Sequence, residues 1–66
     1  MRISLNGQPY QLSEGTSVAQ LVAVRELNPR QIAIEINEKL VPRENYPAIL
    51  LAEGDCVELV TLAGGG

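Results

Sequence analysis

Residues 56–66 read Cys56-Val57-Glu58-Leu59-Val60-Thr61-Leu62-Ala63-Gly64-Gly65-Gly66, an apolar strand that runs directly into bare glycines. Successive side chains of a strand point to opposite faces. Val57, Leu59 and Thr61 therefore share one face, and Cys56, Glu58, Val60 and Leu62 share the other. Glu58 belongs in water. Val57 and Leu59 become the expected core pair, and Val60 and Leu62 are expected to face outward. Two outward aliphatics beside the glycines read as a partner-docking patch. The plainer readings are scattered surface apolars, or side chains covered by Ile49-Leu50-Leu51. Glycine has no Cβ, so an arm of Gly64, Gly65 and Gly66 can enter passages closed to other residues. The carboxylate of Gly66 is then a candidate reactive group, reached past Gly64 and Gly65. A merely disordered chain end is the plainer alternative.

The rest of the chain supplies partners for this strand. Ile3 and Leu5 alternate with Arg2, Ser4 and Asn6, a half-buried strand pattern. Asn6-Gly7 marks a tight hairpin, because both residues tolerate positive φ. Tyr10 and Leu12 lie on the return strand. Pro9, which cannot donate to a ladder, puts that strand at a sheet edge. Ser17-Val18-Ala19-Gln20 fits a capping box. A helix carrying Val18, Leu21 and Val22 follows, with Leu27 closing its apolar stripe and Asn28-Pro29 ending it. Ile32, Ile34 and Ile36 alternate as a β-branched strand. Asn37-Glu38 turns the chain into a short strand at Leu40 and Val41. Pro42 and Pro47 bracket an irregular, 3₁₀-like segment with Arg43, Glu44 and Tyr46. Glu53-Gly54-Asp55 makes a turn before the last strand.

The order strand, strand, helix, strand, short strand, strand predicts an α+β domain. The arrangement expected is the β-grasp, or ubiquitin-like, one: a mixed four- to five-stranded sheet with one helix packed on one face. The last strand is central and lies beside the first. Residues 1–62 form the domain and residues 63–66 a flexible glycine tail.

Composition narrows the function. Sixty-six residues make one small domain. There is no His and one Cys, which excludes a conventional zinc site and a Cys/His or Ser/His catalytic pair. Eight acids against five bases, with a net charge of −3, argue against nucleic-acid binding. No apolar run approaches the roughly 20 residues of a membrane span. Met1-Arg2 leads directly into a strand pattern, so no signal peptide is expected. Cys56 has no partner cysteine, which suits a reducing cytoplasm. A reactive thiol needs a positive neighbour. Cys56 instead has Asp55 and Glu58 nearby, so it reads as structural or incidental. Glu53, Asp55 and Glu58 match no metal loop and read as a solvated turn. Arg43 and Glu44 read as a local salt bridge or as turn stabilisation.

The chain resembles the ThiS family, the small ubiquitin-like sulfur carriers of thiamin biosynthesis. The likeness rests on the Asn6-Gly7 hairpin, on Glu14-Gly15-Thr16-Ser17-Val18 at the helix start, and on Ile34-Glu35-Ile36-Asn37 running into Leu40-Val41-Pro42-Arg43-Glu44. It rests also on Gly54-Asp55 and the glycine end. The resemblance implies a carrier, not an enzyme, with Gly65 and Gly66 as the functional pair. It implies adenylation of Gly66 by a ubiquitin-activating-like adenylyltransferase that uses ATP and magnesium, with no cofactor bound stably by the carrier. A sulfur donor protein then converts the end to a thiocarboxylate, which is delivered to thiazole synthase. The free chain is expected to be a monomer. Alternatives are a carrier for molybdopterin synthesis, a ubiquitin-like modifier, and a plain β-grasp binding module.

Overall fold

A computed structural model describes residues 1–62. Strand β1 spans Arg2–Leu5 and β2 spans Gln8–Gln11; helix α1 spans Val18–Val24. Strands β3 (Ile32–Ile36), β4 (Lys39–Leu40) and β5 (Cys56–Thr61) complete a sheet of order β2-β1-β5-β3-β4. This is the expected β-grasp arrangement. β5 is central, parallel to β1 and antiparallel to β3. β2, which contains Pro9, is an edge strand.

Two hairpins frame the sheet, and each turns on two residues with positive φ: Asn6 and Gly7 in the first, Asn37 and Glu38 in the second. That geometry matches the right-handed twist of the strands. The second turn sets Ile36 opposite Lys39 and Glu35 opposite Leu40. The short strand is therefore Lys39–Leu40, one residue earlier than the Leu40-Val41 pattern predicts.

Ser17 caps α1 as expected. Its hydroxyl accepts from the Gln20 backbone N–H at 3.1 Å, and Gln20 Oε1 accepts from the Ser17 N–H at 2.8 Å. The far end departs from expectation. The helix stops at Val24, not at Asn28, because Glu26 turns left-handed at φ 56°. Glu26 N–H then bonds to the Ala23 carbonyl and Leu27 N–H to the Val22 carbonyl. These two bonds satisfy carbonyls that the last helical turn leaves open, a Schellman closure with glutamate where glycine is usual. Leu27 packs against the core from beyond the helix. Asn28 instead caps a 3₁₀ turn at Pro29–Gln31.

The core lies between α1 and one face of the sheet. Ile3, Leu5, Ile32, Ile34 and Val57 come from the strands, Val18, Leu21 and Val22 from the helix, and Tyr46 and Leu51 from the connections. The 3₁₀ turn at Arg43–Asn45 brings Tyr46 under α1, where its carbonyl accepts from Ala19 N–H at 3.0 Å. Arg43 Nε donates to the Pro29 carbonyl at 3.0 Å. That bond ties the Val-Pro-Arg-Glu segment to the loop before β3, a contact not foreseen in pairing Arg43 with Glu44. No helix among the described residues is long and apolar enough to cross a membrane.

Candidate functional site: the open sheet face at the end of strand five

β5 divides its side chains as the alternation requires. Val57 is fully buried, and Leu59 is half-buried against the core. On the opposite face Val60 is 56% exposed and Leu62 38%. The segment Ile49–Leu51 does not cover them. Leu51 enters the core, and Leu50 is exposed and bridges to Ser17 at the start of α1.

Cross-strand register defines what surrounds Val60. Its partner on β3 is Ala33; two pairs along, Glu58 stands opposite Glu35, and Glu35 stands opposite Leu40 of β4. Directly opposed residues of a ladder share a face. Val60, Ala33, Glu35, Glu58 and Leu40 therefore form one surface on the side of the sheet away from α1. It combines exposed aliphatics with two opposed carboxylates, which repel each other modestly. Such a surface suits docking of a partner that offers apolar contact and positive charge.

Two asparagines hold β5 in place. β1 pairs with β5 only at Ser4–Cys56 and Leu5–Val57. Beyond that, Asn6 continues the ladder. Its backbone N–H donates to the Val57 carbonyl at 2.9 Å. Its side chain then behaves as one more peptide unit: Oδ1 accepts from Leu59 N–H at 2.7 Å, and Nδ2 donates to the Leu59 carbonyl at 3.1 Å. Asn37 does the same at the other end. Its N–H donates to the Cys56 carbonyl at 2.8 Å, Oδ1 accepts from Cys56 N–H at 3.0 Å, and Nδ2 donates to Asp55 Oδ1 at 3.1 Å. Asp55 Oδ2 in turn accepts from Ala52 N–H at 2.8 Å, closing the preceding turn. The Asn-Gly and Asn-Glu dipeptides announced the turns. Nothing local in them announced partners across the sheet.

Cys56 is exposed and free. Among the described residues no group of three or more His, Cys, Asp or Glu could hold a metal ion. Glu53 accepts from the Arg2 backbone N–H at 2.8 Å, so the acids of this turn serve the backbone. Burial pushes the Tyr46 phenol above its ordinary value, partly offset by the nearby Arg43 guanidinium. Gly64, Gly65 and Gly66, the expected reactive arm, lie outside the described residues.

Comparison with known proteins agrees with the fold and with the family resemblance. A crystal structure of the thiamine biosynthesis protein ThiS from Geobacter metallireducens superposes with a TM-score of 0.86 at 28% identity, covering all of both chains. The sulfur carrier protein ThiS of Escherichia coli is 30% identical over 66 residues, again covering all of both. A thiazole synthase of Magnetococcus marinus is 38% identical over 66 residues; the match takes in all of this chain but spans only 20% of that longer protein. The sequence model of the ThiS family matches residues 3–66, glycine end included, and the chain belongs to the ThiS family.

Proposed function

We propose that this chain is a sulfur carrier for thiazole formation, activated at the Gly66 carboxylate. The observation that carries the proposal is the end-to-end match to a relative named as a sulfur carrier, with the family pattern reaching residue 66. A carboxylate is a poor electrophile, because its oxygen is a poor leaving group. In the proposed reaction the Gly66 carboxylate attacks the α-phosphate of ATP on an adenylyltransferase, and pyrophosphate leaves. Sulfur at the sulfide level, supplied by a donor protein, then attacks the acyl carbon, and AMP leaves. The product is a thiocarboxylate. ATP and magnesium are substrates and aids of the activating partner; its electrostatics do the chemical work.

The carrier contributes a chain end without side chains, Gly64-Gly65-Gly66, and the docking face with Val60 and Leu62. It acts as a co-substrate in the cytoplasm and not as an enzyme. Thiazole synthase is the proposed recipient. In M. marinus a segment similar to this whole chain forms part of a protein bearing that name, the arrangement expected if the two must meet.

The test is intact mass after incubation with the activating enzyme, ATP, magnesium and a sulfur donor. The carrier reading expects replacement of one oxygen by sulfur at Gly66. Deletion of Gly66, or Gly65→Val, should abolish it with the fold intact. Isopeptide-linked species would point to a modifier instead, and thiocarboxylate formed on a chain lacking Gly66 would overturn the assignment.

A further inference from the structure

The chain has four asparagines, Asn6, Asn28, Asn37 and Asn45, and only Asn6 is followed by glycine. We propose that Asn6 is a site of spontaneous chemical modification, and that its clasp on β5 controls when the modification occurs. In the reaction the Gly7 backbone nitrogen attacks Asn6 Cγ. The N–Cγ bond forms, the Cγ–Nδ2 bond breaks, and ammonia leaves carrying the proton from Gly7. Water then opens the succinimide at either carbonyl, giving aspartate or isoaspartate at position 6. No reactant other than water is needed.

The site is built for the reaction and guarded against it. Gly7 has no Cβ to crowd its nitrogen, and a Cβ placed there would meet nothing within 4 Å. Asn6 is exposed, so water is available. The other asparagines precede Pro29, Glu38 and Tyr46. Pro29 has no N–H to act as nucleophile, and the other two nitrogens are shielded by side chains. The guard is the pair of hydrogen bonds to Leu59. They hold the amide against β5, and Cγ can swing onto Gly7 only when both break. At about fivefold per hydrogen bond, with both bonds to break, the folded chain should react roughly 30 times more slowly than the denatured chain.

Either product weakens the clasp. Aspartate loses the Nδ2 donor and sets a negative oxygen toward the Leu59 carbonyl. Isoaspartate adds a methylene to the two-residue loop that sets Leu5 opposite Gln8. β5 past Val57 is then supported by β3 alone. This consequence for the docking face rests on the carrier reading; the modification itself does not.

The experiment incubates the purified chain at mildly alkaline pH, folded and in denaturant, with peptide mapping by mass. The expected result is exchange of amide for acid confined to Asn6, fast when denatured and slow when folded. Gly7→Ala, measured in the denatured chain where its positive φ no longer matters, should slow the reaction. Asn6→Gly, which removes both side-chain bonds and tolerates the positive φ, should speed hydrogen exchange at the Leu59 amide while leaving Ile34 unchanged. Equal rates in folded and denatured chains would overturn the guarding role, and an intact Asn6 in both would overturn the site. Loss of thiocarboxylate formation without any change at Asn6 would bear on the carrier reading alone.

Discussion

Val57 and Val60 stand three residues apart on one strand, and the structure predicts very unequal consequences for the same substitution. Val57 is fully buried opposite Ile36. Val57→Ala removes two methyl groups at about 0.8 kcal/mol each, and the residual cavity brings the loss to roughly 2–3 kcal/mol. The whole domain has only about 3–10 kcal/mol, at 0.05–0.15 kcal/mol per residue. Val57→Asp adds an unpaired buried carboxylate and should leave no folded protein. Val60 is 56% exposed beside Ala33, so Val60→Ala should cost under about 0.5 kcal/mol. Val60→Asp should cost about 1 kcal/mol, from lost strand propensity and from repulsion by Glu58. Urea titration reads these differences as midpoint shifts at constant slope. The same proteins, titrated against the adenylyltransferase or thiazole synthase, should show weakened binding for Val60→Asp but not for a surface change on α1. Equal midpoint shifts for Val57→Ala and Val60→Ala would refute the face assignment. Unchanged affinity of Val60→Asp for both partners would refute the docking role.

Three further outcomes follow from the local geometry. Glu26 and Glu38 occupy left-handed backbone, so Glu26→Gly and Glu38→Gly should each raise stability by about 0.5–1 kcal/mol, read by thermal melting; a lower Tm for both would contradict the strain argument. Ser17→Ala removes the acceptor for Gln20 N–H and should cost about 1 kcal/mol in urea titration, whereas Ser17→Asn should recover most of it. The Tyr46 phenol titrates above its ordinary value of 10.0 because of burial. The folded state therefore holds that proton more tightly than the unfolded chain, and stability should be complete below that value and fall as pH rises through it. Tyr46→Phe should flatten that alkaline slope, and an unchanged slope would assign it to another group.

Much of this fold is written in short-range pattern. The alternation at Ile3–Leu5, Ile32–Ile36 and Val57–Leu59 is the two-residue period of a strand. Asn6-Gly7 names its turn by its tolerance of positive φ, and Ser17 with Gln20 names the helix start. The outward direction of Val60 and Leu62 also follows from the sequence, because one charged neighbour, Glu58, sets the phase of the whole strand. Each of these inferences uses residues within a few positions of one another. The helix end is not legible in the sequence, for the opposite reason. Glu26 has a poor intrinsic preference for left-handed backbone, and it adopts it because Leu27 gains a core contact that no propensity encodes. The clasps of Asn6 on Leu59 and of Asn37 on Cys56 join residues 53 and 19 positions apart. Their partners exist only once β5 has entered between β1 and β3. Tertiary structure alone decided them, because a side-chain amide becomes a strand only where a strand has run out.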